Sequence, residues 1–494
     1  MGNDINRREF VSKAAYAVAG SAALTKLGIA GAPAPELPKP GEADWANYTG
    51  NLRSTRFNVG EHTIGKETVD RLKVKWQFGV KEPIESTPTV VGDTLFFPVL
   101  GTFYALDSQT GHLKWKYEMP ESAKGGVRRG LAYYKGRLYG GDSAGWVRCV
   151  DAANGKLVWE RDFTAWTDGP DPKVIREGVG ISGACLAFDD KIYFGTRGTK
   201  TRAVCLNAEN GTTAWEYWIT GEHDIGKGGS MWTSFAVDEK ERIVYVPTGS
   251  NKAPGSTDPA LFTESLLAFD ADNGYMRWYY QARPNDVHDL DWSCHPMIFD
   301  AQGPLMRKGA TRQCVAAGNK DGIYCFDRYS GERIWMTQLT PKYFFGGPNV
   351  DSIACAYNKV FVVSNAATQL IGKPPISVTA ALDGYTGRIV WWTYNLEGIC
   401  QGPLAVANGV LYQGFNDGRM EGLDADTGKV LWQQMLPTAR KGGFAVANGA
   451  LYIGNGLPGS GIEGGAPGYT PPDMTERARK AGGYSMSCFT VDGK

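Results

Sequence analysis

Seven times along the chain a small residue, an apolar residue and an acid are followed after three positions by glycine and after three more by tryptophan. The phrase runs from Ala105-Leu106-Asp107 through Gly111 to Trp115, and from Cys149-Val150-Asp151 through Gly155 to Trp159. Cys205-Leu206-Asn207, with Asn for the acid, leads through Gly211 to Trp215. The series continues with Ala268, Asp270, Gly274 and Trp278; Cys325, Asp327, Gly331 and Trp335; Ala381, Asp383, Gly387 and Trp391; and Gly422, Asp424, Gly428 and Trp432. Self-similarity of this kind signals a repeat architecture. Each phrase reads as two strands around a tight turn, because the acid can bond the backbone just ahead of it and glycine tolerates positive φ. The tryptophan is expected to end the second strand. Further apolar runs such as Thr94-Leu95-Phe96-Phe97, Arg137-Leu138-Tyr139 and Val360-Phe361-Val362-Val363 supply enough strands for a four-stranded antiparallel sheet per repeat. Alone, such a sheet leaves its faces and edges exposed. Radial closure buries the faces between neighbouring blades, with indole as the wedge. The expected fold is an all-β propeller with tryptophan-docking repeats.

Asn6-Arg7-Arg8-Glu9-Phe10-Val11 ahead of an Ala-rich stretch has the pattern of a twin-arginine export signal over residues 1–34. Its apolar core is too short and interrupted for a membrane anchor. A Pro-rich leader, residues 35–44, precedes a uniform segment 45–494, expected to be one ring. Export places the protein in the periplasm or outside the cell. Lys+Arg 52 balances Asp+Glu 52, which excludes nucleic acid as a partner and leaves at most peripheral membrane contact. Nine cysteines include no C-x-x-C-H, so covalent haem c is absent, and spacing assigns no disulfide pairing. Cys149, Cys205 and Cys325 occupy the small position of the phrase and read as buried fillers.

Chemistry is expected where the repeat is interrupted by residues that blade packing does not require. Pro284 to Trp292 crowds Asp286, Asp289 and Asp291 into one loop, the pattern of a metal site or of a base with raised pKa. A solvated acidic loop is the alternative. Trp232 in Gly228-Gly229-Ser230-Met231-Trp232 lies outside the repeat phrase and reads as a stacking floor or as core filling. Gly318-Asn319-Lys320-Asp321-Gly322 can bend to aim Lys320 inward, or leave it on an exposed hairpin. Arg128-Arg129 could meet an anion by bidentate hydrogen bonds, or form a surface pair.

The order of these motifs resembles the pyrroloquinoline quinone-dependent alcohol dehydrogenases, the eight-bladed quinoprotein propellers. Asp44-Trp45-Ala46-Asn47-Tyr48 opens the resemblance, Leu72 to Trp76 is similar to the family's first tryptophan strand, and Gly318 to Arg328 is similar to its "N-K-x-G-x-x-Y-x-x-D-R" segment. Cys488 to Gly493 is similar to the strand that returns to close the ring. With Trp76 the count becomes eight repeats. The resemblance implies quinone stacked on Trp232, with its carboxylates at Arg129, and with Ser182, Lys320 and Asn349 as further cofactor contacts. It implies Asp289 as catalytic base, taking a proton from the substrate hydroxyl, and Asp289, Asp291 and Asn251 as ligands of a calcium or lanthanide ion. Asp291 resembles the extra acid of the lanthanide-using branch.

Two positions depart from the family. Lys200 stands where its glutamate metal ligand belongs, and Ser250 precedes Asn251 in place of the expected asparagine. The departures lead to the expectation that the Lys200 ammonium replaces the metal as positive partner of the quinone carbonyl. The expected function is an exported dehydrogenase of an alcohol or related hydroxyl compound, delivering electrons to an external carrier such as a cytochrome c. A quinone-free scaffold propeller is the alternative.

Overall fold

The computed structural model describes residues 40–120, 125–164, 179–198, 201–219, 228–250, 260–284, 286, 290–339, 349–366, 376–395, 399–400, 402–436, 442–456 and 483–494. These form eight blades of four antiparallel strands, and the only helix among them is the 3-10 turn Val69–Arg71. From first to last strand, blade 1 runs from Thr89–Val91 to Leu113–Glu118, blade 2 from Ala132–Tyr134 to Leu157–Asp162, blade 3 from Leu186–Phe188 to Thr213–Trp218, and blade 4 from Ala236–Asp238 to Met276–Gln281. Blades 5, 6 and 7 run from Met297–Ala301 to Arg333–Thr337, from Asn349–Ala356 to Ile389–Asn395, and from Ala405–Ala407 to Val430–Met435. At most junctions the first strands of neighbouring blades touch one another, which places them at the axis. Last strands lie outside, with side chains such as Leu113, Leu157 and Val430 exposed.

Blade 8 mixes both ends of the chain. Phe444–Ala447, Ala450–Gly454 and Tyr484–Val491 are completed by Leu72–Val80 as outermost strand, and Val74, Trp76 and Phe78 pair with Phe489, Cys488 and Met486. The ring therefore closes as expected, which removes the unpaired faces an open array would expose.

The repeat phrase is the docking device. The acid's carboxylate caps the turn: Asp107 Oδ1 accepts N–H bonds from Gln109 at 3.1 Å and Thr110 at 2.8 Å. The seven turn glycines all have φ of 71–73°, the left-handed region where a Cβ is costly. An added Cβ would also lie 2.5–2.7 Å from the indole of the preceding blade, as at Gly111 on Trp76, Gly155 on Trp115 and Gly331 on Trp278. Each indole N–H donates to the carbonyl just after the next blade's acid, at 3.0–3.1 Å, from Trp76 to Ser108 round to Trp391 to Ala425. Trp432, the last, packs edge-on against Phe489 of blade 8, with ring centroids 6.0 Å apart.

One detail differs from the sequence reading. The tryptophan does not end its strand but sits near the start, third in Leu113–Glu118, directly across from the phrase's small residue (Ala105 opposite Trp115, Cys205 opposite Trp215). A bulge beside each pair turns the indole toward the next blade, and the small partner leaves it room. Cys488 faces Trp76 in the same way, so the cysteines at this position are fillers, and all nine cysteines are buried.

The segment from Trp45 to Asn58 straps the axis. Its backbone bonds in turn to Val90, Tyr133, Val237, Ile298, Cys355 and Val406, the first strands of blades 1, 2, 4, 5, 6 and 7. Phe57–Asn58 pairs parallel with blade 7, and the Asn58 amide donates to Val446 of blade 8 at 2.7 Å. Arg56, fully buried, pins the strap by donating to the carbonyls of Leu404, Tyr48 and Phe444. Burial lowers its pKa to about 10.

Candidate active site

Because strands alternate in direction, the connection entering each first strand and the turn between second and third strands share one end of the ring. The docking turns, between third and fourth strands, occupy the other. Arg129, Ser182, Trp232 and Asp291 all lie in connections entering blades 2 to 5, and Lys320 lies in the turn between Arg312–Asn319 and Gly322–Asp327. Topology alone thus gathers them at one mouth.

Trp232 is the centre. The Arg129 guanidinium carbon lies 5.6 Å from its ring centroid and the Lys320 ammonium 5.8 Å, both within cation–π range. The indole N–H donates to Asp291 Oδ2 at 3.3 Å, and the same oxygen accepts from Lys320 Nζ at 3.3 Å. Asp291 Oδ1 takes the Ser250 N–H. Lys320 and Asp291 are both buried, so neither the exposed hairpin nor the solvated acidic loop describes them.

Backbone geometry fixes these side chains. Lys320 N donates to the Asp291 carbonyl at 3.0 Å, while Ser293 and Cys294 both donate to Gly318, zipping the acidic loop to the lysine turn. A Cβ on Gly249 would stand 2.8 Å from the Asp291 carboxylate and 2.9 Å from the Ser230 carbonyl, so only glycine permits the approach. A Cβ on Gly130, at φ 148°, would stand 2.7 Å from the Thr87 carbonyl, and the Thr87 N–H donates to the Arg129 carbonyl at 2.9 Å, which places Arg129.

Below the lysine turn, Glu264 is fully buried and accepts from Asn319 at 3.1 Å and Arg283 at 2.9 Å, and Arg283 also pairs with Asp321. Burial and the nearby Asp286 charge outweigh those bonds and push the Glu264 carboxyl up to about 8.

Ser182 is buried and accepts a hydrogen bond from Arg197 at 3.0 Å. Its neighbour Ala184 donates to Ser234, beside Trp232. Arg197 is a third cation at the mouth that the sequence reading passed over. Its signal is its place three residues before Lys200, in the segment where the family resemblance puts a glutamate. Glu264 and Tyr48 were missed as well, having no spacing that links them to the motifs. Asn251, Asp289 and Lys200 lie outside the described residues, as does the side chain of Asn349.

A flat anion fits the described cradle: an aromatic face with two cations beside it. A metal at Asp291 does not. Its carboxylate is engaged by an ammonium and two N–H donors, whereas a hard cation needs oxygen ligands in number. Among the described residues no three His, Cys, Asp or Glu side chains cluster as a metal site.

The eight-bladed ring is the fold of solved quinohemoprotein alcohol dehydrogenases. The sequence agrees: residues 212–342 match the family described as "Glucose/ethanol/alcohol dehydrogenase, beta-propeller domain", and residues 72–170 match "Outer membrane protein assembly factor BamB". The chain is 24% identical to the putative dehydrogenase XoxF of Paracoccus denitrificans, over 91% of this chain and 93% of that protein. It is 28% identical to the polyvinylalcohol dehydrogenase of a Sphingopyxis strain, over 91% of this chain and 77% of the relative. The fold superposes on the quinohemoprotein alcohol dehydrogenase of Comamonas testosteroni with a TM-score of 0.75 at 19% identity, covering 92% of this chain and 81% of the other. The chain is thus similar over nearly its whole length to alcohol-oxidising dehydrogenases, and over residues 212–342 to the propeller domain by which that family is described.

Proposed function

We propose that the protein is an exported, pyrroloquinoline quinone-dependent oxidoreductase that converts an alcohol or related hydroxyl compound to its carbonyl and hands the electrons to a separate carrier. The observation that carries the reading is the placement of Arg129 and Lys320 beside the Trp232 face, with Asp291 holding the indole and the ammonium together. Export rests on the Arg7-Arg8 leader.

The bound quinone would supply the two-electron acceptor. Trp232 provides its floor, Arg129 and Lys320 oppose its anionic groups, and Ser182 with Arg197 completes the described rim, to which the family resemblance adds Asn349. Asp289 would take the hydroxyl proton as the alcohol carbon gives up a hydride. Lys320, held by Asp291, keeps positive charge where negative charge develops, so the residue does not reorganise during reaction. This assigns to Lys320 the part first expected of Lys200, and no step here runs through a metal.

The second reading, a quinone-free binding propeller, draws on the match of residues 72–170 to an assembly factor. Titrating the purified protein with the quinone in chelator, while following tryptophan fluorescence and then dye reduction across a panel of alcohols, separates the two. Quenching and alcohol-dependent reduction support the dehydrogenase; absence of quinone binding with or without calcium or lanthanum leaves the scaffold.

A further inference from the structure

We infer that Tyr48, carried on the axial strap, is a positioning residue for Arg129, and through it for the anionic side of the cofactor. The inference rests on the function proposed above. Arg129 Nη1 donates to the Tyr48 hydroxyl at 3.1 Å, and its guanidinium carbon lies 5.7 Å from the Tyr48 ring and 5.6 Å from the Trp232 ring. It is therefore held between two aromatic rings, one from the strap and one from the cofactor floor.

Tyr48 can serve as a fixed point because it is itself immobilised from several directions. It is buried, its carbonyl accepts from Arg56, the Arg56 guanidinium lies 5.0 Å from its ring, and His295 meets that ring edge-on at 6.2 Å. Burial and the two arginines hold His295 in its neutral form, so the aromatic contact carries no extra cation. Arg56 in turn is locked to blades 7 and 8 through the carbonyls of Leu404 and Phe444. The path from ring closure to the cofactor's anion clamp thus runs blade 7 and blade 8, Arg56, Tyr48, Arg129. An arginine side chain loses roughly 2 kcal/mol of rotamer freedom when fixed, and pre-orientation by Tyr48 removes part of that loss from the binding step.

The test is a double-mutant cycle on quinone affinity, measured by quenching of tryptophan fluorescence in the wild type, Tyr48→Phe, Arg129→Ala and the double variant. Tyr48→Phe keeps the ring and loses only the hydroxyl. We expect it to raise Kd about five- to tenfold, roughly 1–1.4 kcal/mol, with a melting temperature within about 1 °C of wild type. In the Arg129→Ala background the same change should be less than about twofold. An equal factor in both backgrounds, an unchanged Kd, or a fall in melting temperature beyond about 3 °C overturns the positioning role. Wild-type protein that binds no quinone overturns the functional reading and this inference together, whereas wild-type binding with an unaffected Tyr48→Phe overturns this inference alone.

Discussion

Replacing Asp291 with alanine tests the centre of the site. Its carboxylate and the Lys320 ammonium are 3.3 Å apart, with side chains only 5% and 4% exposed. At an effective dielectric of about 20, that separation gives an attraction of about 5 kcal/mol, offset in part by desolvation of both groups. Removing one partner keeps the desolvation of the other, so Asp291→Ala should cost about 3–5 kcal/mol. Unfolding entropy of about 2.1 cal/mol/K per residue, over a ring of about 450 residues, makes this a fall of about 3–5 °C in melting temperature. Differential scanning fluorimetry of the quinone-free protein reads it directly. Adding the tricarboxylate quinone should recover part of the loss, because an anion beside Lys320 restores the missing charge. Asp291→Leu combined with Lys320→Met should recover most of it, since an apolar pair needs no compensation. A melting temperature for Asp291→Ala within about 1 °C of wild type would refute the argument.

Gly331→Ala, which puts a Cβ 2.6 Å from the Trp278 indole at φ 72°, should cost about 2–4 kcal/mol from left-handed strain and overpacking, measurable as a lower urea midpoint. Glu264 has its folded pKa raised from 4.5 to about 8, so the folded chain retains a proton that the unfolded chain sheds. Its contribution to stability therefore declines as pH rises from about 4.5 to about 8 and is flat above; Glu264→Gln should show a shallower decline in melting temperature over that window, and parallel curves would contradict the assignment. Native protein should leave its thiols unreactive to a disulfide dye, because every cysteine is buried, and denatured protein should titrate nine; fewer than nine in denaturant without reductant would reveal a disulfide.

The fold was legible because its information is local. An acid, a glycine at positive φ and a tryptophan opposite a small residue each act within about ten positions, and the same requirement recurs at every blade junction, so the spacing survives as a visible repeat. The place of the tryptophan within its strand was not legible, since the bulge that aims it depends on pairing with the strand before it. At the site, Trp232, Arg129 and Lys320 stood out because blade packing does not call for them, and the structure brings them together. Arg197 and Glu264 escaped notice because their partners, Ser182 and Asn319, are 15 and 55 positions away and follow no period.

By itself the sequence determined seven tryptophan-bearing repeats, their turn chemistry and the need for a closed ring, because each follows from short-range pairing and from the cost of open edges; the eighth repeat at Trp76 and the returning strand from Cys488 came from the family resemblance. Only the tertiary structure decided that Asp291 faces Lys320 and the indole, that Arg197 joins the mouth, and that the strap sets Tyr48 under Arg129. Those contacts join segments 15 to 81 residues apart around a closed axis. Their geometry exists only once the ring has brought its inner strands together.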